Sequence, residues 1–308
     1  MLKRVAGVMV AAGALLIAQG RMARPGSINY TEGQVTLNGQ SIGSKQIGTA
    51  EVGPGQVLET RAGKAEMLLT PGVFLRLSDQ SAVRMISPSL IDTRVELLRG
   101  EAMMEADQVE KENHINVLDH GATALIEKHG IYEFRADQPM VAVFDGKVEV
   151  QQDEHNIDVG KGKELLIGQP KTQKFDRDNA QSTDPLYSWS KLRSEYVADA
   201  NMSTAQTFVV GGMPWYGMGW YWNPYFDSFA FMPGDGFLYS PFGFGWGFYS
   251  PGYWRVYAPY GYRGGFGGRP GFVGRGPVGR SVAPRMSAPA MRMGGGFGGG
   301  AHIGGGRR

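Results

Sequence analysis

Between about Ser27 and Ile167 the chain is punctuated by turn signals every 10 to 15 residues, and no helical period of useful length interrupts them. That spacing is the strongest constraint on the fold. "VTLNGQSI" (35–42) carries Asn38-Gly39, which favours a type I′ hairpin. "LLTPGVFLRL" (68–77) carries Pro71-Gly72, where proline presets φ and glycine supplies the positive φ of a type II turn. Val73, Leu75 and Leu77 then alternate with Phe74 and Arg76. A strand–glycine–strand phrase recurs in "TEGQVTL" (31–37), "LLRGEAMM" (97–104) and "VFDGKVEV" (143–150), the last with an Asp145-Gly146 hairpin signal. We read this glycine as a structural corner that relieves backbone strain. A two-part repeat is also visible: "EGQVTL" precedes "VGPGQVLET" (52–60), and "DGKVEV" precedes "VGKGKELLI" (159–167). The expected fold is all-β over 27–168, a sandwich or stacked-sheet solenoid of at least ten short strands.

The order of several weak motifs resembles the FecR-like domain of bacterial envelope proteins. The stretches that carry it are "TRAGKAEMLLTPGVFLRLSDQSAVRM" (60–85), "VELLRGEAMME" (95–105), "INVLDHGATALIEKHGIYEFRAD" (115–137), "MVAVFDGKVEV" (140–150) and "VGKGKELLI". The resemblance implies an extracytoplasmic module, solenoid-like or sandwich-like, that binds partners and has no catalytic role. In regulators of this family a cytoplasmic sigma-regulating segment and a membrane span precede the domain. Here the first residues read instead as an export signal. Lys3 and Arg4 precede an uncharged stretch, Val5 to Ala18, which is short for a membrane span, and Ala18-Gln19-Gly20 offers small residues for cleavage. The reading is a signal peptide over 1–20, no cytoplasmic segment, and a periplasmic or outer-envelope location. A FecR-type trans-envelope signalling regulator is the alternative.

The chain has no cysteine, which excludes disulfides, a thiol nucleophile, Cys-ligated zinc and a lipid anchor on cysteine. Glu110, His114, Asp119, His120 and His129 invite a metal reading, but they show no compact ligand spacing, and we read the histidines as solvated turn residues. No G-x-S-x-G elbow is present. "GPGQ" (53–56) and "GKGK" (160–163) lie between β segments, whereas a phosphate loop leads a strand into a helix. The expectation is therefore no enzyme, no cofactor and no metal site.

Residues 169–183 read as a polar linker. Asp184-Pro185 reads as a helix cap with proline at the first helical position, and Leu186, Trp189, Leu192, Tyr196 and Val197 form one apolar face, giving an amphipathic helix over 184–202. The remainder is compositionally biased. Of 34 aromatic residues 21 fall within 211–262, no acidic residue follows Asp235, and eight arginines lie from Arg263 to Arg308. At this density of Gly and Pro, 203–262 and 263–308 are expected to be low-complexity and disordered in isolation. As a surface-engaging arm, the aromatic part would stack or bury rings through Trp215, Trp220, Trp222, Trp246 and Trp254. The basic part would attract an anionic surface through Arg263, Arg269, Arg275 and Arg280. The expected partners are an envelope protein, a polysaccharide or an anionic membrane surface. Single-stranded nucleic acid, which Arg-Gly and aromatic-Gly runs also suit, is the second alternative, disfavoured by export.

Overall fold

A computed structural model describes residues 23–212, 214–243 and 247–257. The expected signal peptide and the basic stretch 263–308 lie outside these residues.

The described chain is mostly β. In order, it forms β1 (Ile28–Leu37), β2 (Gln40–Ile42), β3 (Val57–Leu68), β4 (Val73–Leu77), β5 (Ala82–Ser89), β6 (Asp92–Arg99) and β7 (Glu101–Ala106). There follow β8 (His114–Asp119), β9 (Ala122–Ile126), β10 (Gly130–Arg135), β11 (Met140–Asp145), β12 (Lys147–Gln152), β13 (His155–Gly160), β14 (Lys163–Leu166) and β15 (Gln173–Lys174). The C-terminal elements are α1 (Arg177–Thr183), α2 (Pro185–Gly211), β16 (Gly219–Asn223), β17 (Ser228–Met232), β18 (Phe237–Leu238), β19 (Phe248–Tyr249) and α3 (Pro251–Tyr257).

Strands β1 to β15 form one sheet in the order β13-β12-β9-β8-β6-β5-β3-β4-β7-β10-β11-β14-β15, with β1 beside β3 and β2 beside β1. One face of this sheet wraps a common core. Val73, Leu75 and Leu77 of β4, Ala102 and Met104 of β7, Val95 and Leu97 of β6, and Val148 and Val150 of β12 all point into it, as period-two alternation requires.

The turn chemistry explains part of the topology. Asn38 (φ 49°) and Gly39 (φ 79°) close the β1–β2 hairpin, where Leu37 pairs with Gln40. Pro71-Gly72 closes the β3–β4 turn, with Gly72 at φ 83° and Val73 N–H donating to Thr70 O at 2.8 Å. The recurrent glycine phrase behaves differently. Asp145-Gly146 is not a hairpin: β11 pairs with β10 and β14, whereas β12 pairs with β9 and β13. Arg99-Gly100 likewise separates β6, which pairs with β5 and β8, from β7, which pairs with β4 and β10. Both glycines are corners at which the chain leaves one part of the sheet for another. Gly33 is not a corner. It lies in a bulge within β1, opposite Gly63, and a Cβ on Gly63 would stand 2.3 Å from Glu32 O. "GPGQ" and "GKGK" lead into β3 and β14 rather than into helices.

The C-terminal region departs from expectation. The stretch 169–183 contains β15 and α1. The helix expected over 184–202 begins as expected, with Asp184 Oδ1 accepting from Leu186 N (2.7 Å) and Tyr187 N (3.1 Å), but it runs on to Gly211. "STAQTFVV" holds no breaker, and the chain turns only at Gly212, in the left-handed region at φ 62°. Most of 215–257, expected to lack order in isolation, is folded onto the sheet and α2. Its rings alternate: Trp220 faces Phe231 and Trp222 faces Phe229 across the β16–β17 hairpin, at ring distances of 5.6 and 5.2 Å. Each buried aromatic removes about 150–250 Å² from water, which offsets the ordering cost of the neighbouring glycines.

Gly146 gives a direct test of the corner reading. It sits at φ 98°, and a Cβ there would stand 2.2 Å from the Tyr132 hydroxyl, which itself donates to Lys128 O and accepts from Lys147 N–H. Gly146→Ala is expected to cost about 2–4 kcal/mol, read as a lower midpoint in urea with an unchanged slope.

Candidate functional site

The outer face of the sheet has two halves. Over β3, β4, β7, β10 and β11 it is covered. Phe74, Met103, Ile131 and Phe144 point outward yet are buried, beneath Leu186, Tyr187, Trp189 and Val197 of α2 and the rings of Phe229, Phe231 and Phe248. A strand buried on both sides carries apolar residues at successive positions, which accounts for "VFLRL" and "EAMME".

Charged residues sit within this covered half. Arg76, Glu66 and Glu105 are 0 % exposed. Glu66 stands opposite Arg76 in register, and Arg76 Nε donates to Glu66 Oε2 at 2.8 Å, while Arg76 Nη1 lies 2.6 Å from Glu105 Oε2. Helix α2 completes the cluster: Arg193 Nη2 donates to Glu66 Oε1 (3.0 Å) and the Ser194 hydroxyl donates to Glu105 Oε1 (2.5 Å). Ser240, from the segment after β18, donates to the same Glu105 oxygen. The Arg193 guanidinium also lies 4.1 Å from the centre of the Tyr30 ring.

Burial alone would raise the Glu66 carboxyl. Arg193 and Arg76 outweigh it and hold the group at about 2. Burial, and then the charge of Glu105, push Asp107 well above the usual carboxylate range, which favours its neutral form. Two guanidiniums thus balance two carboxylates in a closed space.

Three asparagines fasten the aromatic layer beside this cluster. Asn29 pairs with the Phe229 backbone through Phe229 N–H (2.7 Å) and Phe229 O (3.3 Å). Asn201 donates to Phe231 O (2.6 Å) and accepts from Tyr249 N–H (2.6 Å), and Asn223 donates to Ala200 O (3.1 Å) and Thr204 Oγ1 (2.9 Å).

A second cluster lies at the start of α2. Glu133 is buried and accepts from Arg135 Nε at 2.6 Å; Arg135 Nη2 lies 3.7 Å from the helix-capping Asp184. Burial, followed by the charge of Asp184, pushes Glu133 up to about 7, against the pull of Arg135.

Among the described residues nothing covers the other half of the outer face, on β5, β6, β8, β9, β12 and β13. A trough of about 710 Å³ lies there, lined by Ile91, Asp92, Arg94, Glu112, His114, Asn116 and Leu125. It follows from the pairing of β6 with β8, parallel where the other described strand pairs of this sheet are antiparallel: Asp92 aligns with His114 and Arg94 with Asn116. Parallel strands begin at the same edge, so the tip before β6 and the loop before β8 flank one another.

The expected site residues are distributed as follows. Trp220 and Trp222 pack against the Phe74 and Phe229 cluster, and a Cβ on Gly48 would stand 2.4 Å from the Trp222 ring. Packing accounts for these two rings without a surface ligand. Trp215 is half-buried, and Trp254 lies on α3 with its ring 6.0 Å from that of Tyr249. Trp246, Arg263, Arg269, Arg275 and Arg280 lie outside the described residues. His114 borders the trough, and His120 occupies the β8–β9 turn with Nδ1 2.6 Å from Asp119. Among the described residues no three His, Asp or Glu side chains are grouped to hold a metal ion. Sequence reasoning missed Glu66, Arg76, Glu105, Asp107 and Arg193. The available signal was that Arg76 and Glu105 share outward positions with Phe74 and Met103, so their face could not be a solvated one.

A family model described as FecR protein matches residues 56–149, from the start of β3 into β12. This part of the chain is a FecR-like domain. Arg76, Glu66, Glu105 and the trough lie within the matched FecR-like region, whereas Arg193, Ser194 and Ser240 lie outside it. No curated protein matches the sequence. Two solved structures from Parabacteroides distasonis ATCC 8503, each provisionally named an anti-sigma factor, align at 19 % and 18 % identity with TM-scores of 0.34 and 0.35. Each alignment covers 41 % of this chain and 61 % or 62 % of the solved one. This chain therefore spans about three fifths of the length of those structures. Among the described residues no helix is long and apolar enough to cross a membrane.

Two outcomes are expected. Arg193→Ala leaves Glu66 under-compensated and should cost about 3–5 kcal/mol, measured by urea unfolding followed through Trp189 on α2. Glu133 holds its proton up to about pH 7 in the folded chain, against an ordinary value of 4.5. The folded state then binds more protons than the unfolded one between these values, so this group's contribution to stability falls as pH rises through the window. Glu133→Gln should raise the melting temperature at about pH 8 and change it little at about pH 5, a difference of about 3 kcal/mol.

Proposed function

We propose that the chain is a non-enzymatic binding module of the bacterial envelope, exported and periplasmic or outer-envelope associated. One observation carries this reading. The FecR-like domain has half of its outer face sealed by the chain's own helix and aromatic layer, while the other half stays open with a trough in it. The sealed half fastens one layer to another, and its central charged groups, Glu66, Arg76, Glu105 and Arg193, are closed to solvent. The open half offers contact area of mixed polarity, the character of a non-obligate interface. The uncharged stretch Val5–Ala18 behind Lys3 and Arg4 supports export.

The family match favours one further reading, a FecR-type trans-envelope signalling regulator. The two differ at the N-terminus. N-terminal sequencing of the protein recovered from fractionated cells is expected to start near Arg21, in the periplasmic or outer-envelope fraction. Recovery of Met1 with the inner membrane would favour the regulator.

The basic stretch 263–308 supplies attraction to an anionic surface, such as an envelope polysaccharide or acidic lipid. Basic residues close to lipid contribute about 1 kcal/mol each. Binding to anionic vesicles should weaken as the Debye length shrinks from about 10 Å at 0.1 M salt to about 3 Å at 1 M. Deleting 263–308 should abolish it while leaving the melting temperature unchanged. Substitutions of Trp220 or Trp222 should instead lower stability, because both rings belong to the packed layer.

A further inference from the structure

The open half of the outer face carries an apolar strip within an acidic surround. Leu118 and Leu125 are outward and half-buried, on the adjacent strands β8 and β9. Asn116 pairs with Leu125 and Leu118 with Thr123, so the two leucines are diagonal neighbours. At the hairpin tip beside them Leu90 and Ile91 are 51 % and 66 % exposed, and Ile86 is exposed on β5. The cations on the strands of this face are paired: Arg84 with Glu96 (2.9 Å), Arg94 with Asp92 (2.8 Å), and Lys147 with both Glu127 (2.9 Å) and Asp158 (3.1 Å); Lys111, beside Glu112 in the loop before β8, is exposed. Among the described residues Glu112 and Glu149 make no ion pair; Glu149 only accepts from Asn156 Nδ2 at 3.2 Å. The face is therefore net acidic around an apolar strip.

The covered half shows how this sheet receives an occupant. There the occupant is a helix that lays apolar side chains between outward strand residues and brings an arginine onto an outward carboxylate, Arg193 onto Glu66. The open half offers the same elements in a solvated setting: outward leucines and isoleucines, with Glu112 exposed and Glu149 partly exposed beside them.

We infer that the open face of β5, β6, β8, β9 and β12 docks a basic amphipathic helix of a partner protein, seated over Ile91, Leu118 and Leu125 with its cations toward Glu112 and Glu149. This rests on the binding-module reading and assigns it a surface and a partner chemistry.

The test uses the full chain and two synthetic amphipathic helical peptides with the same leucine face, one lysine-rich and one glutamate-rich. Methyl NMR reports the site, and fluorescence anisotropy reports affinity. The lysine-rich peptide should shift the methyl signals of Ile86, Ile91, Leu118 and Leu125. Its affinity should fall at least about tenfold in the double variant Glu112→Lys, Glu149→Lys and in Leu125→Gln; the double variant should keep the parent melting temperature, and Leu125→Gln, at a half-buried position, is measured well below its own melting temperature. Equal binding of the glutamate-rich peptide, methyl shifts confined to the aromatic layer, or unchanged affinity in the variants would overturn the assignment. A photo-crosslinker at Asn116 in intact cells separates the two levels of the argument. Cross-linking to a partner through a basic helix supports the assignment, and cross-linking to a second copy of the chain overturns it. A partner captured only from a crosslinker on the aromatic layer, at Tyr225, would leave the binding-module reading standing and remove this surface from it.

Discussion

Arg76 is fully buried at the fourth position of a five-residue strand, and the arrangement of the C-terminal layer depends on it. A guanidinium out of water is costly unless carboxylates and further hydrogen bonds replace its hydration. Glu66 and Glu105 supply the charge from β3 and β7, and they in turn need donors above the sheet. Arg193, Ser194 and Ser240 provide these only when α2 and the segment after β18 occupy one position. A buried ion network is a weak source of net stability compared with apolar packing of the same volume. We read its value here as registry: a one-residue slip of α2 would strand Glu66 beneath an apolar or uncharged side chain, because Leu192 and Ser194 flank Arg193.

The sheet was legible in the sequence where a signal acts locally. Asn38-Gly39 and Pro71-Gly72 each close a turn between strands that pair directly, and Asp184-Pro185 starts a helix, because φ preferences and side-chain caps operate within a few residues. Gly100 and Gly146 were legible as corners but not as changes of partner. The same positive φ serves a hairpin and a departure, and the choice is made by apolar faces far apart in sequence. The parallel pairing of β6 with β8, and so the trough, belongs to this non-local class.

The aromatic segment shows a different limit. Its glycine and proline content argues against order when the segment is considered alone. The structure folds it because Trp220, Trp222, Phe229 and Phe231 alternate toward a face that the β domain leaves apolar at Leu68 and Phe74. The period-two pattern was present in "GWYWN" and "SFAFM", separated by the four turn residues "PYFD". What the segment's composition could not show was the receiving surface. The buried charges were hidden for a related reason: Arg76 in "VFLRL" is placed as any solvated strand residue would be, until its face-mates Phe74, Met103 and Ile131 are counted together.

The two halves of the outer face differ, one covered by the chain's own C-terminal layer and one not, and chain geometry enforces that division. β3 is the seam. Its first residues pair with β5 on the open side and its last with β4 on the covered side. Between them lies Gly63, pressed against β1 so closely that a side chain would strike Glu32 O and the backbone of Gln34. The strand can therefore serve both halves only by passing this crossing without a side chain. α2 starts beside Arg135 at one side of the covered half and runs over Glu105 and Glu66 toward the aromatic layer. Its apolar residues are thereby committed to Met103, Phe74 and their neighbours. Occupying the open half as well would require releasing Arg193 from Glu66, with its desolvation cost. The chain's own helix is thus held away from Leu118 and Leu125 by the same charges that dock it, and the surface beside it is left available to an occupant from outside.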